Sequence, residues 1–164
     1  LCTPAVALPV GRACTGNAVP PVSLTLGSRS GCLLAGRSPL PEQDPRADRL
    51  RRCQARVTSI IVGGPLNSGI LAGRDTWNYA TAPAEVVDRV RRIQAVCDSH
   101  NVPLPAAALQ FPLAHPVVCA VIPGPRTAAE FNENLPLFTR KIPAGLWSDL
   151  TAAGLLRQDA PVPA

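Results

Sequence analysis

The first regular pattern along the chain is a short apolar run, "CLLAG" (Cys32–Gly36), which gives way to the polar loop "RSPLPEQ". A charged stretch compatible with helix follows over 45–56. "VTSIIVG" (Val57–Gly63) is β-branched and apolar almost throughout, which predicts a strand buried on both faces. Beyond it, Val86, Val90, Ile93 and Cys97 recur at helical spacing while Asp88, Arg91 and Arg92 fall elsewhere. That stripe predicts an amphipathic helix opened by Pro83 and stopped near Asn101. A short helix over 106–110 precedes a second apolar strand, Val117–Ile122. "TAAE" (Thr127–Glu130) has the spacing of a capping box. The helix it opens has Phe131, Leu135 and Phe138 as its expected buried stripe, with Pro136 inside it. A last helix begins near Pro143, buries Leu146, Trp147 and Leu150, and stops at Gly154.

Strand followed by helix, three times over, is the signature of parallel α/β architecture. An open doubly wound sheet and part of a barrel both satisfy it. The chain has 164 residues, enough for one domain but short of the roughly 250 of a closed eight-stranded α/β barrel. Residues 1–31 show no sustained period and form an irregular segment, with a short strand at most near 22–26. The regular part is 32–164.

Composition narrows the partners. The formal net charge is +5, but lysine occurs once, at Lys141, and the other basic residues are arginine. The densest cluster, "RADRLRR", has no aromatic nearby to stack on bases, so a solvated helix face is expected there and no nucleic acid. The six cysteines contain no CxxC pair and no zinc-site spacing. Cys53, Cys97 and Cys119 sit in apolar patterns, which predicts a reducing, cytoplasmic setting. The uncharged stretch 101–125 is broken by Pro103, Pro105, Pro112, Pro116 and Pro123 and predicts no membrane span. Methionine is absent even at position 1, which predicts a fragment or an unusual start.

Two loops leave the expected C-terminal edges of strands, where parallel α/β folds bind ligands. The first is "GGPLNSG". Its glycines permit left-handed backbone and close approach, Asn67 and Ser68 offer polar side chains, and exposed N–H groups can cradle a phosphate. A tight turn needing glycine for geometry alone explains it as well. The second, "VIPGPRTAAEFNENL", joins a strand end, Arg126 and a capped helix N-terminus, which suits an anion or plain capping.

The segments "IIVGGPLNSGIL", "VPLPAAALQFPLAHPVVCAVIPGPR", "NENL" and "IPAGLWSDLTAAGLL" together resemble the C-terminal part of the aldo-keto reductase family. The branch most similar is that of dehydrogenases acting on D-threo-aldoses, L-fucose or galactose. The resemblance runs from Cys32 to about Arg157, and residues 1–31 have no counterpart in it. It implies a partial (β/α)8 barrel, about the last three βα units plus a C-terminal helix, with Cys32–Gly36, Val57–Gly63 and Val117–Ile122 as strands six to eight. It also implies a nicotinamide dinucleotide held without a Rossmann motif. Gly64, Leu66, Asn67, Ser68 and Gly69 match the family's pyrophosphate loop; Ile122, Pro123, Gly124, Arg126, Glu133 and Asn134 match its adenosine site, with Glu133 and Asn134 toward the adenine.

Members preferring NADP carry Lys at the position of Gly124 and Arg at that of Glu130. A carboxylate beside a ribose 2′-phosphate repels it, so NAD is expected over NADP, or weak discrimination, with Arg126 pulling the other way. The branch's nicotinamide-stacking tyrosine is replaced by Ser38. Hydride transfer in the family uses Asp, Tyr, Lys and His from the barrel's first half. Here Tyr79 and Lys141 are the single tyrosine and lysine, neither in a matching context, and His100 and His115 match structural positions. No catalytic residue or metal ligand is therefore assigned. The resemblance implies an oxidoreductase whose parent activity is NAD(P)-dependent oxidation of an aldose, acting on a small sugar when completed by the missing half. The alternative is a non-catalytic binding or interaction module. Open sheet edges predict self-association.

Overall fold

The computed structural model describes residues 12–15, 32–35, 40, 55 and 59–163. In chain order the strands are β1 (Arg12–Thr15), β2 (Cys32–Ala35), β3 (Ile60–Gly63), β4 (Thr76–Trp77), β5 (Ala80–Thr81) and β6 (Val118–Ile122). The helices are α1 (Ala84–Ser99), α2 (Leu104–Gln110), α3 (Ala128–Thr139) and α4 (Ala144–Ala152). Single 3₁₀ segments cover Asn67–Ala72 and Phe111–Ala114. One four-stranded sheet runs in the order β1-β2-β3-β6, and every pairing in it is parallel. β4 and β5 form a separate antiparallel hairpin.

Parallel neighbours cannot be joined by a tight turn and need a crossover. Between β3 and β6 that crossover is the hairpin, α1 and α2, and it brings the core with it. Val90, Ile93 and Cys97 are buried on one face of α1, with Val86 half-buried against the same cluster, as the helical spacing predicts. Burial and the neighbouring Asp98 charge push the Cys97 thiol up to about 11, so it stays a neutral core group. Ala106, Ala107 and Ala108 on α2 are all fully buried, their small side chains letting this short helix sit wholly inside. On α4, Leu146, Trp147 and Leu150 complete the cluster, and the Trp147 ring lies 5.7 Å from that of Phe111 between centroids.

Arginines of α1 reach this last helix. Arg89 Nη2 donates to the Leu155 carbonyl at 3.0 Å and Arg92 Nη2 to that of Ala153 at 3.2 Å. They supply donors and positive charge where the final turn leaves carbonyls unpaired. His100, just after α1, meets the Asp149 carboxylate at 2.7 Å. Asn101 then ends the helix in left-handed conformation at φ 54°, the stop expected of it.

Several expectations are corrected. The segment 1–31, read as irregular, contains β1, paired in register with β2. β6, apolar throughout in sequence, is only partly covered: Cys119 and Ile122 are exposed on this strand, which has β3 as its one strand neighbour among the described residues. The stripe expected on α3 is not a core face, since no residue of α3 is buried. Phe131 is 51% and Leu135 49% exposed, and α3 touches the core through Leu137 instead. β3 begins at Ile60, and its residues Ile60 and Val62 are buried while Ile61 is half-buried. The expected strand near 22–26, the arginine cluster at 46–52, Ser38 and Cys53 lie outside the described residues, as does the 45–56 helix except for Ala55.

Trp147 is buried in the core cluster beside the Phe111 ring, so W147A is expected to lower unfolding free energy by about 3–5 kcal/mol, measured by urea denaturation. A loss below about 1 kcal/mol contradicts the packing described.

Candidate functional site

β3 and β6 are neighbours, and their C-terminal ends are level. Gly63 pairs with Ile122, and the Gly64 N–H donates to the Ile122 carbonyl at 2.9 Å. The two loops singled out in the sequence therefore leave one edge of one sheet side by side. Gly64 turns the chain with φ 62°, a conformation that favours glycine.

The first loop is held in an unusual backbone. Asn67, Ser68 and Gly69 have consecutive positive φ of 47°, 59° and 105°. Such runs persist only where surroundings over-determine them, and here the β4–β5 hairpin does so. Asn67 Oδ1 accepts from the Asn78 N–H at 3.2 Å, and Ser68 Oγ accepts from the Tyr79 N–H at 2.9 Å. Thr76 Oγ1 donates to the Ser68 carbonyl at 2.5 Å. A Cβ on Gly69 would come within 2.5 Å of Arg74 Cδ, so a side chain here would strain the backbone at φ 105° and force the Arg74 side chain to move.

Asn67 is 1% exposed, and its amide Nδ2 is buried with no partner. A buried unpaired donor costs about 1–3 kcal/mol, and it is the kind of group that an incoming oxygen acceptor satisfies. Leu66, Ser68 and Gly69 around it are half-buried.

The second loop continues through Gly124, at φ 68° with open space around it, to exposed Arg126 and then α3. Thr127 caps that helix, its Oγ1 accepting from the Glu130 N–H at 3.1 Å. The capping-box expectation holds in this half. The return contact differs: Glu130 Oε2 accepts from the Arg126 N–H at 2.7 Å, one residue before the cap. Glu130 Oε1 meets Arg126 Nη2 at 3.1 Å and Arg74 Nη2 at 2.9 Å. Arg74 stands at the far end of the first loop, so the Arg74–Glu130 pair ties the two loops together. Hydrogen bonds from the Arg126 backbone and side chain, then its charge and Arg74, hold the Glu130 carboxyl below its ordinary range. One turn further along α3, Glu133 is exposed and Asn134 half-buried.

Two guanidinium groups, one carboxylate, a helix N-terminus and an orphaned amide donor thus share one strand edge, and this set suits an anionic, hydrogen-bonding ligand. The sequence marks Arg74, Thr76 and Asn78 in no way, and Tyr79 only as the single tyrosine. Their segment, "RDTWNYAT", is too short and polar to signal a hairpin that folds back on the glycine loop. His115 is elsewhere, in the turn before β6, its Nδ1 accepting from the Val117 N–H at 3.4 Å while burial keeps its pKa below the usual value. No cluster of His, Cys, Asp or Glu that could hold a metal occurs among the described residues.

Comparison with known proteins gives this arrangement a family. Residues 35–154 match the model of the "Aldo/keto reductase family". The chain belongs to the aldo/keto reductases. It is 39% identical over 128 residues to a pyridoxal 4-dehydrogenase of Microbacterium luteolum, covering 76% of this chain and 37% of that protein. A D-threo-aldose 1-dehydrogenase of Pseudomonas sp is also 39% identical, over 129 residues, covering 76% and 39%. An aldo-keto reductase of Bacillus halodurans in its holo form superposes with a TM-score of 0.64 at 18% identity, covering 87% of this chain and 49% of that one. The apo form of that enzyme gives 0.62. The α/β architecture is accordingly that of part of the family barrel, and the chain spans less than two fifths of the curated relatives it matches. No helix among the described residues is long and apolar enough to cross a membrane.

The Glu130 clasp has a definite pH dependence. Because the folded-state pKa is depressed, its contribution is present above the unfolded carboxyl value and is lost as pH falls through the depressed one. A carbon-detected NMR titration is expected to place the Glu130 midpoint below those of free glutamates, and R126A to move it up. An unshifted midpoint removes the clasp.

Proposed function

We propose that the two loops hold the diphosphate and adenosine ends of a nicotinamide dinucleotide, in a protein whose parent activity is NAD(P)-dependent oxidation of an aldose or similar alcohol. The observation that carries the reading is the buried, unpartnered amide of Asn67, 1% exposed, in a left-handed glycine loop beside a capped helix N-terminus. Gly64, Leu66, Asn67, Ser68 and Gly69 would face the diphosphate. Ile122, Gly124 and Arg126 would line the ribose side, and Glu133 with Asn134 the adenine. Asn67 and Ser68 divide their work: their oxygens hold the hairpin, which leaves the Asn67 amide for a ligand, while the Gly64, Asn67 and Gly69 N–H groups already donate to the Ile122, Gly64 and Leu66 carbonyls.

When bound, the dinucleotide supplies a hydride acceptor. What these residues do is grip its non-reacting half and give it orientation. The proton-transferring Asp, Tyr, Lys and His of the family would come from outside 32–164, the segment that corresponds to the barrel's C-terminal part. The substrate class rests on the names of the relatives, a D-threo-aldose 1-dehydrogenase and a pyridoxal 4-dehydrogenase. Both names describe dehydrogenases, and substrate recognition is assigned to the part this chain does not span.

Glu130 favours NAD. It occupies both arginines that could otherwise receive a 2′-phosphate, and its own charge opposes one. E130Q is expected to strengthen NADP binding about fivefold, with little effect on NAD.

Calorimetric titration of the 164-residue chain with NAD tests the site itself. Binding is expected, and G69A is expected to weaken it at least tenfold, through a Cβ pressed against Arg74. No heat at millimolar NAD sinks the proposal.

A further inference from the structure

Trp77 and Ala80 pair as the last residues of the β4–β5 hairpin, which leaves Asn78 and Tyr79 as its turn. Both have positive φ, 49° and 66°. Two-residue turns of that kind favour Asn followed by Gly, because glycine takes a left-handed position without steric cost. Asn78 fits the pattern, but Tyr79 puts a bulky residue where the backbone asks for glycine. Packing does not ask for the ring either. Tyr79 is 85% exposed, the most exposed of the large apolar side chains described, whereas Phe111 and Trp147 are 6% and 2% exposed. A ring held in water at a strained turn position serves neither the hairpin nor the core, and strain of this kind gathers at ligand clamps.

The contacts of the turn indicate what it would clamp. The Tyr79 N–H donates to Ser68 Oγ at 2.9 Å and the Asn78 N–H to Asn67 Oδ1 at 3.2 Å. The ring is therefore rooted on the left-handed loop that holds the buried, unpartnered Asn67 amide. The chain enters the hairpin from Arg74, whose guanidinium meets Glu130 of α3 at 2.9 Å. The hairpin thus begins beside the helix that carries Glu133 and Asn134.

We propose that the Tyr79 ring stacks on the face of the ligand's adenine, closing on the base from the hairpin while α3 meets its edge. This rests on the dinucleotide reading above and adds to it a residue that lies in neither loop. The carboxylate of Glu133 and the carboxamide of Asn134 offer hydrogen bonds in the plane of a purine. Its faces are covered best by an aromatic ring. Stacking would also remove from water the apolar surface that the turn leaves exposed. Tyr79 is the single tyrosine of the chain, and the task assigned to it is contact with the base, not proton transfer.

That single tyrosine makes the test specific. In the 164-residue chain labelled with ring-¹³C tyrosine, the tyrosine ring signals come from Tyr79 alone. They are expected to move upfield on addition of NAD or ADP-ribose, and to stay in place with nicotinamide mononucleotide or inorganic diphosphate. Nuclear Overhauser contacts are expected between the ring and the adenine protons. Y79G should weaken NAD binding about tenfold, within the range of a stack on one base. The same variant should leave the urea unfolding midpoint unchanged or higher, since glycine suits the turn. Y79F keeps the stack and should bind NAD within about twofold of wild type. If Y79G does not fold, the wild-type ring signals decide alone. No response to NAD from any residue sinks the dinucleotide reading and this inference with it. NAD binding with an unmoved Tyr79 ring, ring contacts to nicotinamide protons alone, or a folded Y79G that binds as wild type does would each overturn the stack and leave that reading standing.

Discussion

The parallel pairing of β3 with β6 is the constraint on which the rest depends. Neither strand is long, and their paired residues, such as Ile60 with Val118 and Gly63 with Ile122, lie far apart in sequence, yet the Gly64 N–H meets the Ile122 carbonyl at 2.9 Å. That contact sets two loops at one sheet edge and requires everything between them to fold back over the sheet. The core is the consequence: α1 and α2 belong to the crossover, and α4 closes over them with Trp147. A change that slipped this register would separate Arg74 from Glu130 and move the glycine loop away from α3.

Order in the glycine loop comes from polar contacts where the core is built from apolar ones. Three successive left-handed residues are costly, and the hairpin holds them with hydrogen bonds to Asn67 and Ser68. The same bonds leave the Asn67 amide buried and unpaired. Strain and an unsatisfied donor together at a strand edge, beside the arginine clasp across Glu130, are the observations on which the proposed ligand site rests. The proposed dinucleotide would thus meet a site whose backbone is already in place.

Local chemistry was legible in the sequence; contacts across distance were not. The stripe Val90, Ile93, Cys97, the cap Thr127 and the buried trio Leu146, Trp147 and Leu150 are each read from spacing within one element. Asn101 and the glycines announced their φ values by residue type. Burial of Phe131 and Leu135 was misread, because apolar spacing reports which side chains share a face and not whether anything covers it. β1 escaped for a similar reason: "RACT" has no periodicity, and only its pairing with β2 makes it a strand. Arg74 was invisible because a guanidinium has no local signature, and its partner lies 56 residues away.

The central claim is that the β3 and β6 loops form one ligand site. It is tested most directly by amide NMR of the 164-residue chain during addition of NAD. The account predicts shifts confined to 64–79 and 122–134, both sets following one binding curve, with the α1 and α4 amides unmoved. Shifts in only one loop, or shifts centred on α1 and α4, would contradict it.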